Sequence, residues 1–190
     1  MPRFSIALSL LLVATFASLS NAEKKAKKDA KGDANKTVKV GTAAPEFTFK
    51  TSEGKEINLA DLTKKGPVLL RLTCGCSGCD KELAYFQALH EAYKGKGLTS
   101  IAIFREADAK VEKYVLKKKL KMLYAVDPKG ETWKIFQTKT MPTNFLIEKG
   151  GKITAIAAGC EPSGLIAEAL SGKVAKLLKT DTVKVRTPKK

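Results

Sequence analysis

The chain has 190 residues, with 35 Lys and Arg against 19 Asp and Glu and a formal net charge of +16. Most of the excess lies at the ends: residues 23–39 carry seven lysines against three acids, residues 173–190 six lysines and one arginine against one aspartate, and residues 40–172 only +5. The chain carries no nucleic-acid recognition motif, which argues against nucleic-acid binding, and basic ends of this kind serve either solubility or weak, salt-sensitive contact with anionic surfaces.

Met1–Ala22 has the outline of a secretory signal peptide. Arg3 supplies a positive start, Ile6 to Leu19 an apolar run, and Ser20-Asn21-Ala22 the small residues a signal peptidase reads. The expectation is export to the periplasm or the extracellular space, with cleavage near Ala22. Disulfides persist in such a compartment. Residues 23–39 have almost no bulky apolar side chain and read as a flexible basic linker. Residues 40–172 are long enough for one ordinary core. Residues 173–190 read as the end of a last helix and a second basic tail.

Within the domain, Phe47-Thr-Phe-Lys-Thr51 alternates as a strand, Gly54 marks a turn, and Ile57-Asn-Leu59 returns as the second strand of a hairpin. Pro67–Thr73 is more uniformly apolar, as in a strand covered on both faces, and Arg71 is unusual there. From Cys79, the residues Leu83, Phe86, Leu89 and Tyr93 recur at helical spacing, and Gly95 and Gly97 end the helix. Leu98–Phe104 reads as a buried strand. Asp108–Lys121 reads as a helix with a basic outer face at Lys117, Lys118, Lys119 and Lys121. A strand over Leu123–Val126, a turn at Asp127-Pro128 and a short helix over Glu131–Phe136 follow. Asn144–Glu148 and Lys152–Ala158 are strands joined through Lys149-Gly150-Gly151. Pro162–Leu178 is the closing helix. This order predicts an α/β fold: a mixed central sheet with helices on both faces and an N-terminal β-hairpin.

The chemistry concentrates at Cys74-Gly-Cys76-Ser-Gly-Cys79. A strand delivers these cysteines into a glycine-rich turn, and a helix follows at once. Cys76-x-x-Cys79 spacing at a helix start puts the first sulfur at the N-terminus, where a thiolate is favoured over a thiol. That pattern points to a redox pair. A purely structural disulfide would gain little from so short a loop. Cys74, Cys76 and Cys79, with Cys160 as a fourth thiolate, also offer a Cys₄ metal set, although structural zinc sites usually use two separated pairs. His90, the single histidine, lies more than two turns beyond Cys79 and reads as a packed or surface residue rather than a ligand.

From about Gly41 to Leu178 the chain resembles thioredoxin-like proteins of the exported TlpA/ResA type, related to the AhpC/TSA group. The resemblance rests on Val40-Gly-Thr-Ala-Ala-Pro-Glu-Phe47, Cys76-Ser-Gly-Cys79, Asp127-Pro-Lys-Gly130 and Met141-Pro-Thr-Asn-Phe-Leu-Ile147. It implies a thioredoxin-like fold and thiol–disulfide exchange with protein thiols or disulfides, recycled by an unidentified electron donor or acceptor and needing no cofactor. It also implies that Cys76 and Cys79 form the catalytic pair, that Glu82 contributes acid–base chemistry, and that Pro142 is cis and, with Met141, meets the substrate. Gly75 stands where the family has an aromatic residue, and Ser77-Gly78 lacks its common proline. Cys74 and Cys160 are additional cysteines, expected near the site as modulators and able to form a second disulfide. A peroxiredoxin-like peroxidase is a further reading, but such enzymes carry Thr-x-x-Cys and Cys76 occupies the threonine position. A metal-binding or metal-delivery protein on the same fold is the third.

Overall fold

The structure is a computed structural model that describes residues 37–51 and 54–186. The expected signal peptide, most of the expected basic linker and the last four residues of the chain lie outside the described residues. The elements run in chain order as β1 (Thr48–Lys50), β2 (Glu56–Asn58), α1 (Leu59–Lys65), β3 (Val68–Thr73), α2 (Ser77–Tyr93), β4 (Thr99–Phe104), α3 (Asp108–Lys118), β5 (Leu123–Val126), α4 (Glu131–Ile135), β6 (Thr143–Ile147), β7 (Ile153–Ala158) and α5 (Leu165–Leu178).

β1 and β2 form the antiparallel N-terminal pair. The central sheet has the order β5-β4-β3-β6-β7. β3 runs parallel to β4 and β4 to β5, because a helix crosses over between each pair. β6 is antiparallel to β3 and β7 to β6, the last two joined through Gly150 and Gly151, both at positive φ. The mixed sheet expected from the element order is therefore present, with β3 at its centre.

Alternation along β3 decides what each face holds. Val68, Leu70 and Leu72 join Ile101, Ile103, Phe145 and Ile147 in one core, closed from below by Phe47, Phe49, Trp133 and Phe136. Leu69 joins Leu146 and the helix residues Phe86, Leu89, Tyr93, Leu170 and Val174 in the other. Arg71 falls on this second face, with its guanidinium 4.2 Å from the Phe86 ring centre.

The segment ahead of β1 runs along the outer strands. Gly41 donates its amide to Ile153, Ile153 donates back to Thr42, and Ala44 donates to Gly151. Just beyond β1, Thr51 bridges Ala125 of β5.

Two elements differ from the sequence expectation. Leu59 does not continue a strand; it opens α1, which the Asn58 side chain caps by accepting from the Ala60 amide at 2.7 Å. Residues beyond Leu178 are not a free tail as far as Arg186. Val183 donates to the Tyr93 hydroxyl, Val185 donates to Glu168 at 2.7 Å, and the Val185 side chain is buried. Two valines spaced by one residue supply the apolar anchor that the surrounding lysines obscure.

Candidate active site

β3 ends at Thr73, and α2 begins four residues later. Cys76 is the N-cap of α2, in extended conformation, and its carbonyl accepts the first helical hydrogen bond from the Asp80 amide at 3.0 Å. Cys76 is exposed, Cys74 is half-buried, and Cys79, three positions into the helix, is 3% exposed. The sulfurs of Cys74, Cys76 and Cys79 all lie within 4.8 Å of one another.

The disulfide joins Cys74 to Cys76, with Cα atoms 5.4 Å apart. This differs from the expected Cys76–Cys79 bond: Cys79 is a free, buried thiol whose sulfur stands 3.3 Å from that of Cys74. The reason is local. Gly75 has no side chain to separate its neighbours, and its amide is fixed by the Glu106 carboxylate at 2.8 Å. A Cβ at Gly75 would stand 3.3 Å from the Tyr114 ring, so the turn packs closely against that ring.

Cys160 does reach this region, but it does not pair with Cys74. Its exposed thiol donates to the Gly78 carbonyl at 2.9 Å. Burial against the loop, then the nearby charges of Glu82 and Cys79, push the Cys160 thiol above its ordinary range. As a soft-cation set, three converging sulfurs are chemically suitable. The Cys74–Cys76 bond leaves only one of those three as a thiol.

Beneath the cysteines lies a buried polar network. Arg71, 2% exposed, donates to Glu82 at 3.0 Å, to Asn144 of β6 at 2.9 Å and to the Cys79 carbonyl at 3.4 Å. Glu82 is fully buried, and its other oxygen accepts from the Glu161 amide at 2.9 Å. Asn144 passes its amide hydrogen to the Ala157 carbonyl of β7. Arg71 was conspicuous in the sequence as a cation in an apolar strand, but its role was not legible there. Asn144 carried no signal, because its partner is far away in sequence.

Above the helix start, Asp80 accepts from Lys118 at 2.6 Å and from Tyr114 at 2.9 Å. Burial opposes ionisation of Asp80, but these two hydrogen bonds outweigh it and hold the carboxyl below its usual range. Burial, then the Asp80 hydrogen bond, raises the Tyr114 phenol. The Met141–Pro142 bond is cis. β6 begins at Thr143, opposite Leu72, so this bond lies beside the end of β3 that leads to Cys74. The Pro142 carbonyl accepts from Gly159, next to Cys160. His90 is largely buried, and burial holds its imidazole below the usual range.

The AhpC/TSA family model matches residues 40–156. The thiol-disulfide oxidoreductase ResA of Bacillus thuringiensis subsp. konkukian is 38% identical over 117 residues, 61% of this chain and 68% of that protein. The Oceanobacillus iheyensis ResA is 30% identical over 162 residues, 83% of this chain and 80% of its own length. Among solved structures, a Chlorobium tepidum protein described as a candidate DsbE-type thiol:disulfide interchange protein superposes with a TM-score of 0.67 at 28% identity, covering 74% of this chain and 99% of its own. StoA from Bacillus subtilis gives 0.54 at 27% identity, with 67% and 97% covered. The fold, the cysteine-bearing helix start and these relatives agree: the chain belongs to the AhpC/TSA family and is a thioredoxin-like protein of the TlpA/ResA type.

Proposed function

We propose that this thiol–disulfide oxidoreductase acts through Cys76 as the attacking nucleophile. The observation that carries the reading is the contrast at the start of α2: Cys76 is exposed at the N-cap, and Cys79 is buried one turn inside. The helix N-terminus favours a thiolate on Cys76. That thiolate attacks a disulfide of a partner protein, forming a mixed disulfide and expelling one partner thiolate. Cys79 then attacks the Cys76 sulfur and releases the second partner thiolate, leaving a Cys76–Cys79 disulfide. The reverse sequence oxidises a partner dithiol.

Glu82 lies one turn on from Cys79 and is the buried carboxylate of the site, fixed by Arg71 and the Glu161 amide. In this reading it assists proton movement at Cys79. Met141 and Pro142 line the substrate side. The signal-like Met1–Ala22 supports action outside the cytoplasm. The substrate class is a protein thiol or disulfide, and the basic ends support loose contact with an anionic surface.

The test is reduction of a disulfide-bonded substrate by the reduced protein, with brief iodoacetamide labelling at mildly acidic pH. Cys76→Ser should abolish turnover, and label should enter Cys76 first. Cys160 should lag, because its raised thiol holds less thiolate at any given pH. Turnover that survives Cys76→Ser, or first labelling of Cys79, would rule the assignment out.

A further inference from the structure

The Cys76–Cys79 scheme leaves one sulfur without a task, although it touches both of the others. Cys74 is bonded to Cys76 and lies 3.3 Å from Cys79. We propose that Cys74 is a second resolving thiol, so that the three cysteines form a relay through which one disulfide migrates. The proposal rests on Cys76 being the nucleophile and adds a residue to that chemistry.

The steps balance without any added oxidant. Cys76 thiolate attacks the partner disulfide and expels one partner thiolate. Cys74 thiolate then attacks the Cys76 sulfur, forming the Cys74–Cys76 disulfide and expelling the other partner thiolate. The partner has gained two electrons, and the protein has lost two. Next, Cys79 thiolate attacks the Cys74 sulfur, forming Cys74–Cys79 and releasing Cys76 as a thiolate. This last step moves no net electrons; it exchanges one disulfide for another. Its product is an oxidised protein whose exposed nucleophile is free again.

The surroundings favour motion of sulfurs over motion of backbone. The Gly75 amide is anchored to Glu106, and Asp80 is tied to Lys118 and Tyr114. Cys79 is held through its carbonyl by Arg71. Each step then requires little more than rotation of a cysteine side chain inside a cluster less than 5 Å across. Cys160 stays outside this relay. Its sulfur is engaged by the Gly78 carbonyl, and its raised thiol is a poor attacker near neutral pH.

Trypsin cleavage after Arg71 and Lys81 leaves all three cysteines on one peptide, so differential labelling reads the relay directly. Reduced protein is oxidised with a disulfide-bonded peptide and quenched in acid. Free thiols are blocked with one reagent; the disulfide is then reduced and labelled with a second. Fragmentation of the peptide shows which cysteine carried which label. The relay predicts molecules with the first label on Cys79 (Cys74–Cys76 bonded) and molecules with it on Cys76 (Cys74–Cys79 bonded). In Cys79→Ser, the same oxidation should still close an internal disulfide, whereas Cys74→Ser/Cys79→Ser should stall as a mixed disulfide with the peptide. The relay is overturned if oxidised wild type carries the first label only on Cys74, or if Cys79→Ser stalls as the double variant does. The wild-type map needs no substitution, so it decides even if a variant folds poorly. A Cys76→Ser protein that still reduces the peptide would instead remove the underlying assignment of the nucleophile.

Discussion

Replacing Arg71 with methionine tests the buried network most directly. Methionine fills much of the same apolar space against Phe86 but donates no hydrogen bond. Glu82 would lose its ion-pair partner while remaining fully buried, and the Asn144 side-chain oxygen would lose its donor. Removing one member of a buried ion pair costs about 3–5 kcal/mol, because the remaining charge is left uncompensated. For a domain of about this size, each kcal/mol lowers Tm by about 2–4 °C, so a fall of about 6–20 °C is expected. The assay is urea unfolding of oxidised protein at neutral pH, repeated for Glu82→Leu and for the double variant. Arg71→Met/Glu82→Leu should cost less than the sum of the two single changes, since neither charge is stranded in it. A loss below about 1 kcal/mol for Arg71→Met, or strict additivity in the double variant, would refute the argument that the pair is electrostatically interdependent.

Two further outcomes follow from other contacts. The Asp80 carboxyl is held below its ordinary value in the folded protein, so its stabilising contribution is complete above the unfolded value of about 3.9 and is lost as pH falls through the lower folded value. The Asp80–Lys118 pair is about a third exposed, so Asp80→Asn should destabilise by at most about 1 kcal/mol at neutral pH. The difference from wild type, followed by urea unfolding, should shrink as pH falls below the unfolded value of about 3.9; a difference that does not change with acidification would count against the ion pair. Gly66→Ala should destabilise by about 1–3 kcal/mol, because the added methyl would lie 2.5 Å from the Gly97 carbonyl oxygen, where backbone must shift. An unchanged denaturation midpoint would show that the junction between α1 and β3 yields freely.

Local pattern carried much of the architecture. The apolar run before Cys74, the helical spacing from Leu83 to Tyr93 and the Gly150-Gly151 turn each announce an element within a few residues, and the structure contains all three. Family resemblance added the cis bond before Pro142, which no periodicity encodes. α1 escaped because seven residues are too few to establish a helical period, and its main signal is a single capping asparagine. The Arg71–Glu82–Asn144 network escaped for a different reason. Its members sit on β3, α2 and β6, and only the folded sheet makes them neighbours. The motif's spacing pointed to Cys76–Cys79, but three cysteines within six residues allow three bonds, and the structure has Cys74–Cys76 instead. The return of Val183 and Val185 was masked by lysines, whose average polarity hides two inward-facing side chains.

The segment from Gly41 to Thr51 also has an order of events built into it. It leaves the ribosome before any strand of the central sheet, yet it pairs with Ala125 near its far end and with Ile153 near its start. At ordinary translation rates the interval between Gly41 and Ile153 is on the order of ten seconds. Phe47 and Phe49 share their core with residues made as late as Phe145, Ile147 and Ile153. Contacts between such distant positions are entropically late in folding. The chain's earliest domain residues are therefore among the last to find their places, and the two outer strands are closed by residues that have waited longest.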